Sequence, residues 1–234
     1  SDAMVLTMLI HMLRHFAFDR MRGFRWFSWV TGVVLIVMVY ASGINGYMLP
    51  WDKMAQFVVT ASFEWLDWLP IFNGALIRNF IYQSSVNDRF FSLLAFIHLG
   101  VPLLVLLLMW IHVQRVPKAS TNPPRPIIIA LLLTMLALAL VKPAVSQGGA
   151  ADFGVTTTTL DFDWFFLIVY PLLYTWSLGH IWALIVGAMG LLALLPWLPP
   201  KFRRDKNAQR EFQMSVHPDN RSVKVRRGET ILEA

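Results

Sequence analysis

The sequence contains no cysteine among its 234 residues. This absence excludes disulfide bonds, thiolate metal sites and c-type haem attachment within the chain. Charged residues are also scarce, at 15%, whereas a soluble domain has about 25%. Hydrophobic residues make up 56% of the chain and are collected in blocks, which indicates a membrane protein.

Six apolar segments can be counted, and together they predict an all-α integral membrane helical bundle. The first, roughly 3–13, is short for a span of about 20 residues. Because the chain starts with the apolar stretch "SDAMVLTML", we expect this span to be truncated at its N-terminus. "SLGH" separates the last two segments, which we expect to form a helical hairpin. The remaining five segments are approximately 27–49, 91–113, 127–146, 164–177 and 180–199.

Charge divides the connections between the segments into two groups. The basic loops 14–25 and 115–125 are predicted to face the cytoplasm, and the acidic connections 51–89 and 147–163 the outside. The net charge of +6 is therefore a loop signal, and we expect no nucleic-acid partner. The tail "KFRRDKNAQR" is inconsistent, because its charge favours the cytoplasm whereas six spans place it outside. We follow the span count here.

Two histidines, His98 and His112, lie in one predicted span. Their spacing of 14 residues is about 3.9 helical turns, so both face one direction about 21 Å apart. A lone histidine on an apolar face is more often a core residue, but ionisable groups in spans are costly and usually functional. Imidazole is an axial ligand of haem iron, so this pair could serve two haems, each needing a second histidine.

His11 is the available partner for His112, since it lies near the cytoplasmic end of the first segment. Arg14, one turn later, could meet a haem propionate, or it could be an interfacial anchor. A partner for His98 would lie 14 residues before His11, upstream of Ser1. We therefore expect one axial ligand to be missing from this sequence.

Two glycines, Gly32 and Gly46, repeat the same interval of 14 residues in the second segment. Glycine in a membrane helix usually permits close helix packing. A flat macrocycle needs the same space, because a side chain would collide with it. The interval shared with the histidines favours this second interpretation.

The motifs "MVLTMLIHMLR", "WVTGVVL", "GYMLPWD", "RFFSLLAFIH", "MWIHV" and "DWFFLIVY" resemble cytochrome b of the bc-type quinol-oxidising complexes, respiratory and photosynthetic. The resemblance covers about residues 1–200. It implies a haem-binding N-terminal-type part over 1–115, incomplete at its N-terminus, and a C-terminal-type part over 116–200.

The resemblance implies two haem b groups and assigns residues to them. His11 and His112 match the axial ligands of the haem nearer the cytoplasm, and His98 matches one ligand of the outer haem. The residues that match positions beside the haems are Gly32, Gly46, Arg14 and Arg89.

The resemblance also implies an outer quinol pocket. Tyr47, Pro50 and Trp51 match the segment that enters it. Asp163 and Trp164 fall where the family has Pro-Glu-Trp-Tyr, whose Glu takes part in quinol oxidation. The Pro is absent here, the acid is one methylene shorter and the final Tyr is Phe165. A carboxylate can still accept a proton, so Asp163 is the candidate catalytic residue, with a solvated loop acid as the alternative.

The implied function is quinol oxidation with electron transfer across the membrane within a bc-type respiratory or photosynthetic complex. The implied partners are membrane lipid, a Rieske-type iron–sulfur protein, cytochrome c or another acceptor, and a second copy in a homodimer. The implied location is the bacterial inner (cytoplasmic) membrane or an equivalent energy-transducing membrane. One alternative is a quinone-coupled cytochrome b that anchors another oxidoreductase. Another is a haem-free transporter or scaffold.

The C-terminal stretch "FQMSVHPDNRSVKVRRGETILEA" predicts a second small domain. It reads as a β-hairpin around a Pro-Asp-Asn turn, followed by the start of a helix. This pattern is similar to the beginning of plant-type [2Fe–2S] ferredoxins. We therefore expect a linker over 201–211 and the start of a ferredoxin-like domain over 212–234, with the cluster cysteines beyond Ala234.

Overall fold

The structure is a computed structural model, and it describes residues 2–116, 121–143, 145–155, 159–198, 211–216 and 221–226. It divides into two compact units, Ser1–Trp197 and Leu198–Ala234. The first unit is helical. The helices of its described part are α1 Asp2–Ala17, α2 Trp26–Met48, α3 Lys53–Asp67, α4 Ala75–Phe80, α5 Asp88–Val113, α6 Arg125–Val141, α7 Tyr170–Leu173 and α8 Leu178–Leu194.

The prediction of an all-α membrane bundle is confirmed. Within the described residues, three helical stretches are long and apolar enough to cross a membrane: Gly23–Met48, Asp88–Val113 and Leu178–Trp197. The shorter α6 is also apolar, with 17 residues. Two of these helices, α5 and α8, begin with a side-chain cap. For example, the Asn87 side chain accepts hydrogen bonds from the backbone N–H groups of Arg89 and Phe90 at the start of α5.

The prediction of a fifth span over 164–177 is wrong, and so is the helical hairpin built on it. Residues 164–169 form turns, and α7 has only four residues. The stretch of 14 residues is too short for a bilayer that needs about 20. It is apolar because Phe166, Leu167 and Tyr170 are buried within the protein. Leu167 and Tyr170 belong to the same core cluster as residues of α2 and α3.

This change also corrects the side on which the membrane unit ends. The Trp29 indole N–H donates to the Leu192 carbonyl at 2.7 Å, and Arg22 donates to the Pro196 carbonyl at 3.0 Å. The end of α8 therefore lies beside the start of α2, on the side of the basic loop 14–25. With one span fewer, the span count no longer conflicts with the basic composition of the tail, which itself lies outside the described residues.

The acidic connections meet at the opposite side, as their charge predicted. Asp52 accepts hydrogen bonds from the Ala55 N–H at 2.8 Å and the Gln147 N–H at 2.7 Å. The Gln56 side-chain oxygen accepts from the Asp152 N–H at 2.7 Å. The loop after α6 is thus held against the first turn of α3.

We call α3 together with the two acidic connections, 51–89 and 147–163, the outer layer. Replacing Asp52 by Ala should destabilise this layer. The cap of α3 is worth about 1 kcal/mol. Asp52 is only 5% exposed, and losing the bond to Gln147 should add about 1–3 kcal/mol. Thermal unfolding in detergent measures the effect, with Asp161→Ala as control because Asp161 is an exposed acid of the same layer. Equal unfolding temperatures for the two variants would contradict this role.

The second unit contains the predicted hairpin. Strands β1 Glu211–Val216 and β2 Arg221–Arg226 pair antiparallel, with Glu211 opposite Arg226 and Val216 opposite Arg221. The Pro-Asp-Asn turn, the predicted helix start and linker residues 201–210 lie outside the described residues.

Candidate functional site

The packing of α2 against α5 places each of the two glycines beside one histidine. A Cβ atom on Gly32 would lie 3.2 Å from Cε1 of His112, and one on Gly46 would lie 3.1 Å from Cε1 of His98. Any side chain at either glycine would press on an imidazole. The shared interval of 14 residues therefore corresponds to two matching Gly–His contacts along one helix pair.

The His112 end of this helix pair contains two further polar contacts. His112 Nδ1 lies 3.0 Å from Thr31 Oγ1, and the Ser28 hydroxyl donates to the His112 carbonyl at 3.1 Å. Ser28, Thr31 and Gly32 lie within one turn of α2. One turn of α2 thus contacts both the ring and the backbone of His112.

The His98 end is different. His98 Nδ1 is buried and has no hydrogen-bond partner among the described residues. The same is true of Oδ1 of Asn45, the residue directly before Gly46. Buried polar atoms without a partner are rare in folded proteins, so this pair requires an explanation.

His11 and Arg14 are exposed on α1. Val5 is the buried residue of this helix, whose remaining described surface is largely free. The His11 ring lies 4.6 Å from the His15 ring, centroid to centroid. Met12, the residue after His11, packs against the buried cluster of Met21, Trp29 and Val33, which places this part of α1 beside the start of α2.

Arg89, at the start of α5, is exposed at the opposite end of the unit from His112. It lines a cavity of about 340 Å³ together with Asn79, Tyr82 and Ser84. Arg14, at the end of α1, and Arg89, at the start of α5, therefore lie toward opposite ends of the unit.

The structure brings Asp163 and Tyr47 together across 116 residues of sequence. The Tyr47 hydroxyl donates to Asp163 Oδ2 at 3.0 Å. Asp163 Oδ1 accepts from the backbone N–H groups of Phe165 at 2.8 Å and Phe166 at 2.6 Å. Asp163 thus begins the turn that replaces the predicted fifth span.

The other pocket candidates lie nearby but have different surroundings. Pro50 is exposed, and Trp164 is 47% exposed with its ring against Phe165. Trp51 has a φ of 51°, which is rare for a bulky residue. Its ring contacts three phenylalanines, Phe90, Phe91 and Phe153, and these contacts hold it in this conformation.

Several residues around Asp163 were not identified from the sequence. A Cβ on Gly43 would overlap the Phe166 ring. Tyr40 packs edge-on against Phe165, with ring centroids 5.8 Å apart, and its buried hydroxyl has no partner in the described part of the chain. The sequence contained one signal for the role of Gly43. It lies three residues before Gly46 and is therefore a second small residue on nearly the same face of α2. The Phe166 contact itself depends on the tertiary fold.

The outer layer contains another acid, Glu64, which lies on α3. Burial raises the pKa of Glu64. Burial and then the charge of Glu64 raise the pKa of Tyr174. Tyr170, which shares a short hydroxyl contact of 2.6 Å with Ser62, also has a pKa raised by burial. Burial therefore raises the pKa of all three groups.

These features define an α-helical, multi-pass membrane protein of the electron-transfer class. A family model described as "Cytochrome b(N-terminal)/b6/petB" matches residues 2–148, well over half of the chain. The chain belongs to this cytochrome b family. It is a membrane cytochrome b of the bc/b6f type, and family membership implies binding of haem b and partner subunits in a membrane complex.

The residues present fit a haem. Gly32 and Gly46 leave the space beside each imidazole free of side chains. The contact between His112 Nδ1 and Thr31 leaves Nε2, the other ring nitrogen, to act as a ligand. The unpartnered Nδ1 of His98 also indicates a group or arrangement that completes that site.

Proposed function

We propose that this chain is the haem-carrying subunit of a complex that oxidises quinol and passes electrons across the membrane. The observation that carries the proposal is the pair of matching contacts, Gly32 with His112 and Gly46 with His98, along α2 and α5. Two equivalent sites near opposite ends of one helix pair fit two haems stacked through the bilayer.

In this proposal, His11 and His112 ligate the haem nearer the cytoplasm, and His98 ligates the outer one. Arg14 and Arg89 neutralise propionates near the two surfaces. The haems supply one-electron chemistry, while the protein supplies ligation, insulation and orientation.

The outer pocket is assigned to Tyr47, Pro50, Trp51, Asp163 and Trp164. Asp163 is the proton acceptor for a quinol hydroxyl. The hydrogen bond from the Tyr47 hydroxyl to Asp163 Oδ2 supports this assignment, because this oxygen accepts from a donor outside its own turn. To accept a proton from quinol, Asp163 exchanges the hydrogen bond from Tyr47 for one from the substrate.

A second candidate function is a quinone-coupled cytochrome b that anchors another oxidoreductase. The hydrogen bonds to Asp163 from the N–H groups of Phe165 and Phe166 favour it. They give the acid a structural role in capping a turn, which does not require quinol oxidation. The two functions share the haems and differ in the chemistry of Asp163.

Partners and location are part of the same proposal. A Rieske-type iron–sulfur protein with cytochrome c or another acceptor receives the second electron, and the subunit forms a homodimer. The membrane is the bacterial inner membrane or an equivalent one. The hairpin β1–β2 begins a ferredoxin-like domain that carries a [2Fe–2S] cluster further along the protein.

The proposed function predicts two b-type haems in the full-length protein purified from its membranes. Reduced-minus-oxidised spectra and haem extraction against protein mass measure this content. Quinol should reduce the haems, and an outer-site inhibitor should alter that reduction. Absence of b-type absorbance would eliminate both functions, whereas haem without a response to quinol-site inhibitors would favour the anchor.

A further inference from the structure

Helix α2 contains the same arrangement twice, a buried polar residue directly before each glycine that faces a histidine. Thr31 precedes Gly32 and is 9% exposed, and Asn45 precedes Gly46 and is 5% exposed. A Cβ on either glycine would lie 3.8 Å from Nδ1 of the facing histidine. Thr31 and Asn45 therefore occupy equivalent positions toward His112 and His98.

The backbone hydrogen bonds of Thr31 favour one tautomer of His112. The Thr31 hydroxyl donates to the backbone carbonyl of Phe27 at 2.8 Å. The Ser28 carbonyl lies slightly further away, at 3.2 Å. A hydroxyl has one hydrogen, and with that hydrogen on the Phe27 carbonyl Thr31 Oγ1 accepts in its contact with His112 Nδ1 at 3.0 Å. This arrangement requires the Nδ1–H tautomer of His112, in which Nε2 keeps its lone pair.

At the His98 end, the equivalent groups belong to Asn45 and His98, and no hydrogen bond joins them. Asn45 Oδ1 is a buried acceptor without a partner, and His98 Nδ1 is a buried ring nitrogen without a partner, among the described residues. A side-chain amide oxygen and a ring N–H are complementary. A hydrogen bond between them would satisfy both groups, as the contact with Thr31 does for His112.

We propose that Thr31 and Asn45 are positioning residues that hold the Nδ1–H tautomers of His112 and His98, so that Nε2 of each faces the haem iron. This inference rests on the proposed function, in which both imidazoles are axial ligands. A hydrogen bond from the second ring nitrogen orients the ring and makes the ligand more basic. A more basic ligand stabilises the oxidised iron and lowers the midpoint potential of that haem.

The test compares valine with a hydroxyl residue at each position in the full-length protein. Thr31→Val keeps the side-chain shape and removes the acceptor, whereas Thr31→Ser keeps an acceptor. Asn45→Val and Asn45→Thr form the corresponding pair. Haem transfer to an apoprotein acceptor measures retention, and redox titration measures the midpoint potential of each haem.

Each valine variant should weaken retention of one haem by about 10- to 100-fold. The midpoint potential of that haem should rise, and the other haem should be unaffected. Thr31→Ser and Asn45→Thr should remain near the wild-type values. Thr134→Val is the matched control, because the Thr134 hydroxyl donates to the Ala130 carbonyl at 2.8 Å on an exposed face of α6.

Two results would overturn the inference and leave the proposed function intact. The first is that Thr31→Val has the same haem retention and midpoint potentials as Thr134→Val. The second is that Asn45→Val and Asn45→Thr have the same haem retention and midpoint potentials. If Asn45→Val does not accumulate in the membrane, Asn45→Ala against Asn45→Thr decides the same question. A wild-type protein without b-type haem would instead show that the proposed function itself has failed.

Discussion

Replacing His112 by Ala should remove one b-type haem and leave the other in place. A haem held by two histidines depends on both axial bonds, and in the described part of the chain the side-chain atoms within 4 Å of a Cβ at Gly32 are those of His112. Haem content per chain of the full-length protein should fall by half, and the remaining haem should keep its midpoint potential. Reduced-minus-oxidised spectra and redox titration measure both quantities.

The reciprocal variant and a matched control make this result specific. His98→Ala should remove the other haem, because His98 faces Gly46 in the second equivalent site. His180→Ala should remove none, since His180 lies at the start of α8 with its Nδ1 2.6 Å from the Ser177 hydroxyl. Retention of both haems in His112→Ala would show that this imidazole is not a ligand.

The alignment of the histidines and of the glycines could be predicted from the sequence, because residues separated by a nearly whole number of helical turns lie on one face of a helix. Intervals of 14 residues in α2 and α5 place the four residues on matching faces. The family resemblance, now confirmed by the match over 2–148, then assigned a cofactor to them. The same interval also relates Thr31 to Asn45, so the polar residue before each glycine could have been noticed. Their relation to Nδ1 required coordinates.

The fifth segment, 164–177, was predicted wrongly as a membrane span. Its apolar residues predicted a span, but composition does not separate burial in lipid from burial in protein. Phe166, Leu167 and Tyr170 are buried in the protein, and Pro171 lacks the N–H that a longer helix would use. The same span made the span count conflict with the basic composition of the chain after α8. The contact between Trp29 and Leu192 places the end of α8 beside the start of α2, and it joins residues too far apart in sequence to be paired by pattern.

The stretch "GYMLPWD" gains a specific structure from the fold. α2 ends at Met48, and Trp51 turns the chain with a positive φ so that Asp52 can cap α3. Tyr47, at the end of α2, points its hydroxyl at Asp163. The segment therefore joins two tasks. It anchors the outer loops through Asp52, and it presents one hydroxyl to the only acid assigned a catalytic role.

Replacing Asp163 by Asn should slow quinol oxidation by about 10²- to 10⁴-fold, the range for loss of a general base. The amide keeps an oxygen for the N–H groups of Phe165 and Phe166, so the turn should persist. It also keeps a polar group beside the Tyr47 hydroxyl, but it cannot take up a proton. Quinol-dependent reduction of the haems in the full-length complex measures the rate, with haem content as the check on folding.

Tyr47→Phe separates the two roles of the acid. This variant removes the hydrogen bond to Asp163 Oδ2 and keeps the carboxylate and its turn. If Asp163 is the proton acceptor, Tyr47→Phe should lose much less activity than Asp163→Asn, because the acid can still be protonated. If Asp163 only caps the turn, Asp163→Asn should oxidise quinol at the wild-type rate. That rate, with both haems present, would exclude the catalytic role and leave the subunit as a haem-bearing anchor.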